Sequence, residues 1–290
     1  MRTIKSISNY LLERFQIIPL MVLVLTDLMV IENITSEMMI SNQKFFLSFL
    51  FIIAYLFHNR VADDQRDFNF DMEFYPERDL QKGILNITLL KKISYIMIII
   101  MLLISILFGN LSLIALVPLF AYTYFSKKDF FFADDFKINN LFFYNILNMI
   151  QLLFLQVFIY VSILNSFKID RIIFLHILLV FILSIQVEIA RKIKPIKSPG
   201  NEFYSDHLGM KGAIILWYFF GLLSIIVSIF IGELLDINRL NIIFFESQIL
   251  IIYLLSGFVF LKYQTKKYEN IFWFGLLIAY TGQNMILTYA

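Results

Sequence analysis

Nine runs of mainly apolar residues, each close to the twenty or so that a helix needs to cross a bilayer, take up most of this 290-residue chain. They lie near 15–33, 44–59, 93–110, 112–126, 139–165, 170–190, 212–233, 242–262 and 270–289. In hydrocarbon every backbone donor and acceptor must be satisfied within its own segment, so runs of this length can only be helices. The expected fold is therefore all-α and integral to the membrane: a bundle of about nine transmembrane helices with cytoplasmic cap loops, forming a single domain over 1–290. The composition agrees, with 60% hydrophobic, 17% aromatic and only 16% charged residues and a mean hydropathy of +0.78. These values exclude a soluble domain. The fourth run is the shortest, because Phe108-Gly109-Asn110 allows only a minimal turn and Lys127-Lys128 end it early.

A net charge of +2 is too small to suggest a nucleic-acid partner, so what matters is where the charges fall. Cytoplasmic loops collect Lys and Arg. With nine spans, four of the 24 basic residues, Lys44, Lys168, Arg171 and Arg239, fall opposite the N-terminus, and the other 20 fall on its side. This places the N-terminus in the cytoplasm and the C-terminus outside, in a multi-pass protein of the cell or inner membrane. The start MRTIKSISNYLLERF has no small-residue cleavage site after its first apolar run and is expected to be retained. Cysteine is absent, which removes disulfides, thiolate metal sites and thiol nucleophiles.

The densest charge lies on the cytoplasmic side in RVADDQRDFNFDMEFYPERDLQKG, residues 60–83. Asp64, Asp67 and Asp71 are spaced three and then four apart, which on one helix stacks three carboxylates on one face, with Asp63 beside them. Like charges stacked in this way repel unless a cation lies among them. Oxygen ligands suit a hard divalent ion such as Mg²⁺, which takes one or two carboxylates and completes its shell with water and phosphate. A phosphorylated substrate follows. Arg60, Arg66, Arg78 and Lys82 are available for the remaining phosphate oxygens. The competing reading is a solvated loop between two membrane helices.

A second charged segment, Glu188 to Ala213, again pairs acids with bases. Glu188 and Arg191 end a helix, Lys192, Lys194 and Lys197 follow, Pro199-Gly200 makes a turn, and Glu202 and Asp206 supply further carboxylates. A basic loop resting on anionic headgroups accounts for part of this pattern; beside the first centre it also looks like the second half of a clamp. In the loop 125–137, Asp129, Asp134 and Asp135 share no face, while Lys127 and Lys128 are within reach of a phosphate. Asn145, Asn148 and Gln151 recur every three residues in the fifth run, and Gln186 precedes Glu188, suiting either a polar cavity end or interhelical hydrogen bonds. Asp27, Glu32, Glu233 and Glu246 fall toward the outer side and are left out of the site. Of the histidines, only His207 is placed to act as a ligand or base.

These segments resemble the UbiA superfamily of intramembrane prenyltransferases, and the likeness runs along nearly the whole chain. The first motif of that family, Asn-Asp-x-x-Asp-x-x-x-Asp, is similar to DDQRDFNFD, with Asp63 in the Asn position followed by Asp64, Asp67 and Asp71. PERDLQKG resembles its P-x-R-P-L-x-x-G tail, with Asp79 in place of the second Pro. The second motif, Asp-x-x-x-Asp, is met by Glu188 but departed from at Lys192. EIARKI, PGNEFYS, HLG and KKDFF resemble elements of one subgroup, in particular E-x-x-R-K-I and KEFF.

The resemblance implies Mg²⁺-dependent transfer of a prenyl group from a prenyl diphosphate to an acceptor within the membrane, through an allylic carbocation. On this basis Asp64, Asp67, Asp71 and Glu188 are the expected catalytic and metal-binding residues, with Glu202 and Asp206 as further candidate ligands. Arg60, Asp63, Arg78, Lys128, Arg191 and Lys192 are the expected diphosphate contacts. Lys192 then either leaves Glu188 to complete a second metal site or binds diphosphate directly in place of a bridging ion. The partners are the prenyl donor, an acceptor of aromatic, quinone-precursor or lipid type, and membrane lipid, with no nucleic acid. A CDP-alcohol phosphotransferase fits less well, since its paired Asp-Gly and Ala-Arg signature is missing. A transporter predicts ionisable residues near the bilayer midplane, and a non-catalytic member of the family is suggested by Asp63, Asp79 and Lys192.

Overall fold

The structure, a computed structural model, describes residues 2–35, 41–197 and 200–289. In chain order its helices are α1 (Arg2–Glu13), α2 (Ile17–Ile34), α3 (Asn42–Arg66), α4 (Phe68–Phe74), α5 (Ile87–Phe108), α6 (Asn110–Lys127), α7 (Asp134–Asn139), α8 (Leu141–Leu164), α9 (Arg171–Arg191), α10 (Tyr204–Leu234), α11 (Arg239–Tyr263) and α12 (Lys266–Tyr289), with a short 3-10 turn at Asp129–Phe131. Among the described residues there is no strand. Four long helices begin on a side-chain cap that satisfies one of the otherwise unpaired first-turn donors. Ser41 accepts from Lys44 N, Asn86 from Thr88 N, Asp170 from Ile173 N, and Asn238 from Leu240 and Asn241 N.

Eight of these helices, α2, α3, α5 and α8 to α12, are long and apolar enough to cross a membrane. The protein is an integral, multi-pass membrane protein. The shortest expected run became α6, a separate eighteen-residue helix that is not among the eight. Pro118 lies inside this continuous helix, and Asn110, Thr123, Ser126 and Lys127 lower its apolar content. Among the described residues the nine expected runs thus appear as eight helices that meet this measure and α6, which equals α2 in length and is less apolar.

The chain divides into two compact units. Unit 1 comprises Met1–Leu28, Ile40–Phe131 and Phe158–Phe167, and unit 2 comprises Met29–Met39, Phe132–Val157 and Lys168–Ala290. In unit 1, Tyr10 and Phe15 meet the edge of the Phe57 ring, and Val61, Leu80, Leu85 and Leu90 close the same buried cluster. This packing holds the start of the chain against the end of α3 and the segment after α4. In unit 2 the indole of Trp217 on α10 is fully buried between Tyr253 of α11 and Phe272 of α12, with ring centroids 5.2 and 4.5 Å away. Small residues let these helices approach closely: a Cβ on Gly275 would stand 2.6 Å from Ser256 Cβ.

Candidate functional site

Phe57, Val61 and Asp64 are four and three residues apart on α3, so the face that buries Phe57 and Val61 carries the Asp64 carboxylate at its last turn. Asp64 is 1% exposed. Burial at that level requires full compensation of the charge, and the chain supplies it. Oδ1 accepts from Arg60 Nη2 at 2.6 Å and from Arg14 Nη2 at 2.7 Å, while Oδ2 accepts from the Tyr10 hydroxyl at 2.6 Å. Asp71, buried on α4, takes Arg78 Nη1 at 2.5 Å on Oδ2, and the same oxygen lies 3.4 Å from Arg14 Nη2. The Arg78 guanidinium also covers the Tyr75 ring at 3.9 Å. One nitrogen of Arg14 thus bridges the two carboxylates. Three guanidinium groups face two carboxylates here. Burial, and then the Asp64 carboxylate, push the Tyr10 hydroxyl well above the ordinary tyrosine range, so it remains a donor.

Asp67 does not join this pair. The three-then-four spacing predicts one shared face, but α3 ends at Arg66 and the backbone at Asp67 turns to φ −89°, ψ 6°. Its carboxylate instead receives Arg66 Nε at 2.9 Å. Arg66 also pairs with Asp63 at 3.2 Å and with Asp129 at 3.2 Å. Asp63, Asp67 and Asp129 are thus gathered around one guanidinium, and Asp63 and Asp67 remain more than two-fifths exposed. The PERDLQKG tail is a turn in which Ile84 and Leu85 N–H donate to the Asp79 carbonyl and Gly83 takes φ +70°. Asp79 thereby works through its backbone where the resembled motif has Pro. Lys128 ends α6 through its N–H, bonded to the Tyr124 and Phe125 carbonyls.

In unit 2, Glu188 lies one turn before the end of α9 and is buried. Arg191 donates to both of its oxygens, from Nε to Oε2 at 2.9 Å and from Nη2 to Oε1 at 3.0 Å. Lys192 Nζ lies 3.4 Å from Oε1 and donates to Asn145 Oδ1 at 2.9 Å, and Asn145 Nδ2 in turn donates to the Tyr204 hydroxyl at 2.9 Å. Two cations face one carboxylate. Asp206 is used elsewhere, its Oδ2 accepting from Phe203 N at the start of α10, whereas Glu202 is near enough to act electrostatically on Lys192. His207 Nε2 stands 2.8 Å from the Asn201 carbonyl oxygen. Pro199 and the side chains of Asp134 and Asp135 lie outside the described residues.

The carboxylates expected to need a metal are held by the chain's own cations. Among the described residues, no three His, Asp or Glu side chains gather closely enough to form a metal site from protein ligands alone. Asp64 and Asp71 nevertheless offer two hard oxygen donors that converge on a single cationic nitrogen. That donor set fits a divalent ion that brings phosphate oxygens with it. Reading the sequence missed Tyr10, Arg14 and Tyr204, and placed Asn145 in a polar row without its partner Lys192.

No protein-family model matches the chain, and no curated protein matches it. Solved structures do. The apo structure of a UbiA homolog from Aeropyrum pernix K1 superposes with a TM-score of 0.67 at 11% identity, over 90% of this chain and 96% of that one. A structure of digeranylgeranylglyceryl phosphate synthase superposes with a TM-score of 0.59 at 19% identity, over 98% and 99% of the two chains. The likeness that the acidic motifs carry in sequence is matched along the whole helical bundle, and the chain has the fold of the UbiA superfamily of intramembrane prenyltransferases.

Proposed function

We propose that the protein transfers a prenyl group from a prenyl diphosphate to an acceptor in the membrane, with Mg²⁺ as cofactor and with its N-terminus and both charged centres on the cytoplasmic side. The observation that carries this reading is the centre at Asp64 and Asp71, where two buried carboxylates and three guanidinium groups meet at the end of a membrane helix, in a chain with this fold. Asp64 and Asp71 are the residues that would hold the ion, which when bound supplies charge stabilisation to a departing diphosphate. Arg60 and Arg78 are already fixed by their carboxylates, so their guanidinium groups stand in place for phosphate oxygens without reorganising. Arg191 and Lys192 bring two cations to the Glu188 centre, which suits an anion. The isoprenoid tail, being apolar, belongs among the helices.

The acceptor is open among a hydroxylated aromatic acid, a quinone precursor, a glycerol phosphate lipid, a sugar phosphate and a tetrapyrrole. The likeness to digeranylgeranylglyceryl phosphate synthase makes a glycerol phosphate lipid the first to screen. The deciding experiment is the thermal stability of the detergent-purified protein with geranylgeranyl diphosphate, with and without Mg²⁺. Stabilisation that requires both supports the reading, and no shift with donors of any chain length in a folded protein overturns it.

A transporter is the second reading, favoured by Glu246, which is 1% exposed on α11 with Gln283 Nε2 at 3.3 Å. It predicts stability that is indifferent to any diphosphate.

A further inference from the structure

Three arginines meet at the Asp64–Asp71 centre. Arg60 pairs with Asp64 and Arg78 with Asp71. Arg14 alone reaches both, and it comes from outside the acidic motif, from the short link between α1 and α2. Its Nη2 takes Asp64 Oδ1 and Asp71 Oδ2, one oxygen from each carboxylate, which is the arrangement in which two carboxylates share a single cation. A compact divalent ion would bind the same oxygens more strongly than a delocalised guanidinium, yet both cannot occupy the point between them.

Resting on the reading that this centre takes a metal–diphosphate pair, we propose that Arg14 is the built-in counter-ion of Asp64 and Asp71: it holds the place between them until a divalent ion arrives with diphosphate, and loading the site then releases the link at Arg14 to Gln16 from it. Three features make the exchange feasible. The Arg14 side chain is 29% exposed, so leaving the carboxylates moves the guanidinium toward solvent rather than into a buried position. The link that carries it is short and non-helical, with Gln16 at φ +50°, and Arg14 N bonds back to the Tyr10 carbonyl at 3.0 Å. When Arg14 leaves, Arg60 stays on Asp64 and Arg78 on Asp71, so neither carboxylate is stranded. The displaced guanidinium then has the phosphate oxygens as a new partner. Ion and diphosphate therefore promote each other's binding, because the cost of releasing Arg14 is met once for both.

The test uses the full-length protein in detergent, with Mn²⁺ and inorganic pyrophosphate as probes. Hydrogen exchange of the amides in residues 2–16 is followed by mass spectrometry, and bound Mn²⁺ is counted from the loss of its free paramagnetic signal. With both probes present, exchange at the amides of residues 14–16 should accelerate about tenfold, and Arg14→Gln should bind Mn²⁺ alone about tenfold more tightly than the natural chain, as expected for removal of one charge-assisted competitor. Unchanged or slower exchange while Mn²⁺ is bound overturns the role of Arg14, as does Mn²⁺ binding no tighter in the variant, and either result leaves the metal–diphosphate reading standing. Absence of Mn²⁺ binding to a folded protein, with and without pyrophosphate, overturns both. Should Arg14→Gln fail to fold, the exchange measurement on the natural chain decides alone.

Discussion

Lys192 Nζ stands 3.4 Å from Glu188 Oε1, one helical turn further along, at the position where the resembled motif carries a second acid. An ammonium group there turns a pair of like charges into an ion pair, beside the Arg191 guanidinium on the same carboxylate. Asn145 orients the ammonium from α8.

Lys192→Ala is therefore expected to weaken pyrophosphate binding about tenfold, the worth of one charge-assisted contact. The fold should survive, because Glu188 keeps the bidentate Arg191. Lys192→Arg should recover most of the lost affinity. Isothermal calorimetry on the three proteins checks this, and an affinity unchanged in Lys192→Ala would remove Lys192 from the diphosphate site.

Asp64 separates a structural from a chemical loss. Asp64→Ala takes an acceptor from two guanidinium groups and from the Tyr10 hydroxyl at once. The two arginine side chains are 29% and 17% exposed, so partial rehydration limits the penalty to about 2 kcal/mol. Asp64→Asn keeps an acceptor for these donors at nearly the same volume. It should melt close to the natural protein yet bind divalent ion about a hundredfold more weakly, given that loss of even an outer partner of a metal ligand costs about 10–100-fold. Thermal melts paired with Mn²⁺ titration distinguish the two variants.

The bundle was legible because bilayer thickness sets a minimum length for every span, and it blurred at α6, where Pro118 and polar ends lower the apolar content of a helix as long as α2. The acids were legible for a similar reason, since charge is costly in so apolar a chain and gathers where something compensates it. Their partners were not. Arg14 and Tyr10 lie 50 and 54 residues before Asp64, and no local spacing links them; in sequence Arg14 reads as one more basic residue flanking a span. Asp67 was misplaced because an i, i+3, i+7 pattern shares a face only on an unbroken helix, and α3 stops one residue before it.

Tyr10 offers a milder probe of the same centre. Its hydroxyl meets Asp64 at 2.6 Å while its ring packs edge-on against Phe57, so Tyr10→Phe removes a hydrogen bond to a charged group and preserves the packing. The expected cost is about 1.5 kcal/mol. Tyr10→Ala should cost about 3 kcal/mol or more, because it also opens the cluster with Phe57 and Val61. Melting of the two variants in one detergent measures the difference: equal costs would mean that the ring packing contributes nothing, and a Tyr10→Phe melt equal to that of the natural protein would mean that the hydrogen bond contributes nothing.

Glu246 tests whether a carboxyl group deep in the bundle of unit 2 matters for its charge or for its shape. It is buried beside Gln283, whose side-chain oxygen also lies 3.2 Å from Ser224 Oγ and 3.4 Å from the Tyr253 hydroxyl, and Tyr253 in turn donates to Gln186 at 3.0 Å. These contacts connect α9, α10, α11 and α12 through amide and hydroxyl groups rather than through cations. A carboxylate in such surroundings is costly, whereas an amide of the same shape keeps the hydrogen bonds without a charge to desolvate. Glu246→Gln is therefore expected to match or exceed the natural protein in melting temperature and to leave the response to geranylgeranyl diphosphate and Mg²⁺ unchanged. Glu246→Ala should cost about 1–3 kcal/mol, the penalty of leaving Gln283 without an acceptor. Were Glu246→Gln instead to abolish a proton- or ion-coupled flux measured in proteoliposomes while leaving the melt untouched, the charge itself would be functional, and the transporter reading would displace prenyl transfer.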